Sequence, residues 1–140
     1  MAPLDLYAVV VTDRLFDCRD FWVRHFGFTP LFQASWFVLL RSPEPAEAPR
    51  LIAFMHPDHP SRPPGPEAFG GTGLFMTVQV ADAAAAHAEL AAAGAPIDYG
   101  PADEPWGQRR FMTRDPSGLM VDVVEQTEPA AGWWDRWLVA

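Results

Sequence analysis

The residues with chemical capacity fall in four places along the chain. His56-Pro57-Asp58-His59 sets two imidazoles beside a carboxylate, donor types that hold divalent ions. The run opens a proline-rich stretch, however, and no helix aligns its donors, so both rings are expected to be solvated loop histidines. Cys18 is the single thiol. Its spacing from Leu15, Phe21 and Trp22 puts it on the apolar face of a helix, as a small core side chain rather than a nucleophile. Asp122 lies in the apolar run Leu119–Val124, where an unpaired carboxyl has a raised pKa and the capacity to act as acid or base. Trp106, on a Pro105-Trp106-Gly107 corner, offers an indole that stacks on planar rings or cations for about 0.5–2 kcal/mol. Arg109 beside it suits a ligand carboxylate, or an acid of the chain such as Asp122.

Other chemistries lack their residues. There is no lysine for a Schiff base, and no nucleophile elbow, P-loop or dinucleotide fingerprint. Gly70-Gly71-Thr72-Gly73 precedes a strand, so it brings no helix N-terminal amides to a phosphate and reads as a hinge. His25, near a helix C-terminus, complements the helix dipole. His87 is expected on the surface of an alanine-rich helix.

The elements that must position these residues repeat. Leu6–Asp13 and Phe75–Asp82 each read as a strand ending in aspartate, followed by a helix and a glycine stop at Gly27 or Gly94. The aspartates lie 69 positions apart (82 minus 13). The first helix spans Leu15–Phe26, with an apolar face at i, i+3, i+4 spacing. The second, Ala83–Ala93, is mostly alanine anchored by Leu90, and should pack close to its sheet. Strand signals follow at Pro30–Ser35, Trp36–Arg41 and Leu51–His56, and again at Pro96–Tyr99, Gln108–Arg114 and Leu119–Glu125. The last two flank an Asp115-Pro116-Ser117-Gly118 turn. The result is an α+β chain of two βαβββ modules lying side by side. We expect one domain of 1–140, with modules at 5–56 and 73–126, a linker at 57–72 rich in proline and glycine, and a tail at 127–140. Trp133, Trp134 and Trp137 mark that tail as a short amphipathic helix.

Bulk properties bound the partners. A formal net charge of -8 argues against nucleic-acid binding, which needs a basic stripe. No apolar run approaches the roughly 20 residues of a membrane span, and no signal peptide is evident. With one cysteine there is no intramolecular disulfide framework, so a cytoplasmic location is expected.

The paired modules, the helix ending His25-Phe26-Gly27-Phe28 and the Trp-Gly-Gln-Arg/Asp-Pro-Ser-Gly hairpin (106–118) resemble the vicinal-oxygen-chelate superfamily. That superfamily includes glyoxalase I, extradiol dioxygenases and bleomycin-resistance proteins. The resemblance covers about residues 5–126 and speaks to fold more than function, because this fold hosts several chemistries. It implies that the two modules' curved sheets line a shared cleft and that helices cover the convex side. Alternation then turns Leu6, Ala8, Val10 and Thr12 toward the cleft, and Tyr7, Val9 and Val11 toward the helix. It likewise turns Phe75, Thr77, Gln79, Met120, Asp122 and Val124 toward the cleft.

Metal-using relatives place ligands at positions matching Leu6, Phe75, a residue near Phe54–His56, and Asp122. Leucine and phenylalanine cannot ligate, and such a site needs at least three N or O donors. The resemblance therefore implies no metal here, and no other cofactor is expected. In bleomycin-resistance proteins a tryptophan similar to Trp106 and an arginine similar to Arg109 stand at the cleft mouth. The expected function is metal-free binding of a small amphipathic or aromatic molecule, as antibiotic-sequestering proteins of the bleomycin-resistance type do, in a cleft lined by Leu6, Trp36, Phe54, Phe75, Thr77, Gln79, Trp106, Arg109 and Asp122. The alternative is a glyoxalase-like lyase or isomerase using Asp122 as base, or a dioxygenase-type enzyme with a metal site of unrecognised ligands. A third reading is an interaction protein whose cleft is filled by its own side chains. The resemblance also implies a homodimer, with the tail as subunit contact, module seam or lid.

Overall fold

Each half of the chain folds as a strand, a helix and three further strands. The computed structural model describes residues 1–140. It divides into two compact units: Met1–Thr72 with Asp115–Gly118, and Gly73–Arg114 with Leu119–Ala140. The first holds β1 (Ala8–Val11), α1 (Leu15–Phe26), β2 (Thr29–Gln33), β3 (Phe37–Arg41) and β4 (Leu51–Met55). The second holds β5 (Phe75–Gln79), α2 (Ala83–Ala92), β6 (Tyr99–Glu104), β7 (Gln108–Arg114) and β8 (Met120–Gln126). The sheet orders are β1-β4-β3-β2 and β5-β8-β7-β6. In each, the first strand pairs parallel with the last and the other pairs are antiparallel. This is the α+β architecture of two βαβββ modules.

Helix α1 buries Leu15, Cys18, Phe21 and Trp22, the apolar stripe read from the sequence. It ends at Gly27, whose φ of 70° is the left-handed conformation that closes helices. Burial, reinforced by the charge of Asp115, pushes the Cys18 thiol up to about 12, so no thiolate forms at neutral pH. The indole N–H of Trp22 donates to Asp115 Oδ2 at 3.0 Å inside the unit, and Asp115 Oδ1 accepts the Ser117 backbone N–H at 2.8 Å. The Asp-Pro-Ser-Gly turn thus anchors α1 as well as reversing the chain.

Helix α2 starts at Asp82, whose side chain accepts the Ala85 N–H at 3.0 Å. Alanine buries little area of its own. The sheet residues beneath it, Phe111, Thr113, Val121 and Val123, are nevertheless wholly buried. His87 packs edge-on against Phe111 at 5.3 Å, so it is half-buried instead of lying on the surface.

Several expectations are corrected. Helix α1 is entered through Arg14 with no side-chain cap, so Asp13 is not the counterpart of Asp82. The helices begin 68 positions apart (83 minus 15), one fewer than the aspartates. That single residue inverts β1, because side chains alternate with period two. Val10 is 3% exposed and Thr12 is buried, whereas Val9 is 42% exposed. Strand β6 begins where Pro96–Tyr99 was expected to end. It carries an irregularity between Tyr99 and Ala102, and Gly100 at φ 79° allows it. A Cβ at Gly100 would stand 2.6 Å from the Arg110 carbonyl oxygen. His59, expected in solvent, is only 3% exposed and lies near the Gly65 carbonyl and Arg62. The tail forms hydrogen-bonded turns over 131–137 in place of a helix.

Candidate ligand-binding site

The two faces of the second sheet differ in chemistry. Pairing of β7 with β8 sets Met112 opposite Asp122 and Arg110 opposite Val124, and pairing of β5 with β8 sets Thr77 beside Asp122. Phe75, Thr77, Gln79, Arg110, Met112, Met120, Asp122 and Val124 therefore share the face turned away from α2. Phe75, Thr77 and Gln79 are exposed along β5. Asp122, in the middle of the sheet, is 4% exposed.

Arg110 organises this face. Its Nε and Nη2 donate to Glu104 Oε2 at 3.2 and 3.0 Å, and its Nη1 lies 3.5 Å from Asp122 Oδ2. The guanidinium sits over the Tyr99 ring at 5.4 Å and the Trp106 ring at 5.0 Å. Tyr99 O–H donates to Glu104 Oε1 at 2.8 Å. Asp122 Oδ1 is buried with no hydrogen-bond partner. Burial raises the Asp122 carboxyl pKa above its ordinary value, with Arg110 opposing the rise and Glu104 adding to it. A buried carboxylate oxygen without a donor costs stability and can be satisfied by a donor from outside.

The other expected residues are distributed differently. Leu6 precedes β1 and is 91% exposed. Phe54 is fully buried on the β4 face that pairs with Val10 and Val38, the face α1 covers, so it was assigned to the wrong side. Trp36 is half-buried just ahead of β3, its ring 5.8 Å from Phe37. Arg109 points away from Asp122. It bonds Asp103 at 2.6 Å and approaches Glu125, whose other oxygen accepts the Ala83 N–H at the start of α2.

Trp106 is largely engaged by its own unit. Its indole N–H donates to Gln108, its carbonyl accepts from the Trp134 indole at 2.9 Å, and its ring packs 5.8 Å from Trp133. Gly107, at φ 108°, makes this corner, where a Cβ would stand 2.9 Å from the Thr127 carbonyl oxygen. The sequence reading missed Arg110, Glu104 and Tyr99. Register held the signal for Arg110, since residues opposite and diagonal to Asp122 on β7 share its parity.

The donor set does not fit the metal that this fold carries elsewhere. Neither Leu6 nor Phe75 has a ligating atom, and no cluster of three or more His, Cys, Asp or Glu side chains forms. No helix is long and apolar enough to cross a membrane.

Fold and site together define a two-module α+β protein whose second sheet carries a polar cluster within an apolar face. The chain belongs to the Glyoxalase/Bleomycin resistance protein/Dioxygenase superfamily, whose model matches residues 5–123. Its fold is similar to a glyoxalase/bleomycin resistance protein/dioxygenase from Nocardioides, at 20% identity and a TM-score of 0.72 over 91% of this chain and 86% of that one. It is similar to lactoylglutathione lyase from Agrobacterium tumefaciens, at 17% identity and a TM-score of 0.68 over 89% and 95%. It is also similar to TnmS3, an antibiotic binding protein from Streptomyces, at 24% identity and a TM-score of 0.66 over 91% and 99%. No functionally curated protein matches the sequence. A lyase and a binder share the backbone, so the site must decide the function.

Proposed function

We propose that the protein binds a small aromatic or amphipathic molecule on the open face of its second sheet, without a metal, as an antibiotic-sequestering protein does. One observation carries this reading: a buried carboxylate with an unanswered oxygen, set among Phe75, Met112, Met120 and Tyr99. Ligand sites commonly combine apolar walls with a few placed polar groups. The fold likeness to an antibiotic binding protein is compatible with this role. Binding alone withholds a toxic compound and requires no bond to break.

A second reading uses the same carboxylate. Burial raises the Asp122 pKa, which suits a general acid or base in a lyase or isomerase. The two readings separate by experiment. Tryptophan fluorescence is titrated with a panel of bleomycin-type and other aromatic antibiotics, and each compound that binds is checked for chemical change. We expect saturable quenching, recovery of the compound unaltered, and a weaker response in Asp122→Asn. Turnover that Asp122→Asn abolishes would replace binding with catalysis.

A further inference from the structure

The polar groups on this face are not equally available, and their accounting restricts what the face accepts. Three donor atoms of Arg110 are committed, two to Glu104 and one toward Asp122. Both Glu104 oxygens are taken, Oε1 by Tyr99 and Oε2 by Arg110. The Tyr99 hydroxyl and the Trp106 indole N–H are also donating, to Glu104 and Gln108. The buried side-chain atom of this face that remains unfilled is an acceptor, Asp122 Oδ1. Glu104 and Asp122 oppose the single charge of Arg110, so the cluster carries one excess negative charge with both acids ionised. Tyr99 and Phe75 present exposed ring surface nearby on the same sheet, and aromatic faces attract cations.

We propose that the molecule this face takes is a planar cation, an aromatic ring system bearing a protonated amine or guanidine, and that its carboxylate counterparts are excluded. The inference rests on the binding reading above and narrows its ligand class. The ligand's N–H reaches Asp122 Oδ1 as Met112 and Met120, both half-buried and unbranched, rotate aside. Its ring lies along Phe75 toward Tyr99. An anion arriving by the same route meets two carboxylates, and the guanidinium between them already spends three of its five N–H donors on those acids.

The test is a matched pair of probes, an aminoacridine that is cationic at neutral pH and an acridine carboxylate, each titrated by calorimetry against the full chain. We expect the cation to bind at least about tenfold more tightly, the equivalent of 1.4 kcal/mol. Asp122→Asn should bring the two affinities to within about threefold. Because Asp122 is buried, a second variant guards against a folding defect. Thr77→Arg adds a positive charge at an exposed position paired with Asp122, and should reverse the preference. Equal affinities, or a tighter carboxylate, overturn the charge assignment while leaving the binding reading intact. Failure of both probes while a neutral panel compound binds overturns the assignment in the same way. If no probe and no panel compound binds, the binding reading itself fails and takes this inference with it.

Discussion

Asp122 combines a cost with an opportunity. Its carboxyl pKa is raised by burial above the ordinary 3.8, so it holds a proton more tightly in the folded chain than in the unfolded one. The stability this contributes is fully present below the ordinary value and is lost as pH rises through the raised one. Asp122→Asn is neutral at every pH and leaves Arg110 paired with Glu104. We therefore expect it to melt at a higher temperature than the parent at neutral pH, with the gap closing as pH falls through the raised value toward 3.8 in a thermal-melt series. A gap that widens in acid would contradict the burial argument. Thr113 bears the other buried polar atom without a partner, its Oγ1 beneath α2. Thr113→Val removes that hydroxyl while keeping its shape, and should stabilise the fold by about 1 kcal/mol in urea unfolding. At this scale the sequence placed Asp122 correctly on β8 but looked to the wrong arginine. The physical reason is parity: Arg109 and Asp122 fall on opposite faces once the hairpin register is set, and Arg110 does not.

Elements were legible where periodicity was strong. The spacing of α1 matched its bounds because an apolar stripe at helical period has one solution. β7 matched for a similar reason, being flanked by a glycine corner and an Asp-Pro-Ser-Gly turn. β6 was placed several residues early because Gly100 and Pro101 look like a break, while the chain continues as a strand through an irregularity. The face of β1 was inverted because two aspartates suggested a repeat one residue too long. Composition also could not show that the hairpin turn holds α1 through Trp22 and Asp115. Trp22→Phe should cost about 1.5–3 kcal/mol, the range for a hydrogen bond to a charged group, measured by denaturant unfolding. Gly100→Ala should destabilise by roughly 1–3 kcal/mol through its positive φ and the adjacent Arg110 carbonyl. Wild-type stability in Gly100→Ala would show that the irregularity can relax.

At the scale of the whole molecule, duplication of a βαβββ half was visible in the sequence, and with it the superfamily. What the molecule does was not visible there, because the residues that distinguish binder from enzyme are few and the backbone is shared. Leu6, Phe32 and Trp137 leave large apolar side chains exposed. The expected homodimer would have surface of this kind to cover, and light scattering should then give twice the mass of the chain. A single-chain mass at micromolar concentration would remove the dimer from the account. The most direct test of the central claim is amide chemical-shift mapping with whichever panel compound binds. Perturbations are expected to concentrate at Phe75, Thr77, Arg110, Met112 and Asp122, all on one face of the second sheet. Perturbations centred on α1 and Trp22, with these five residues unmoved, would contradict it.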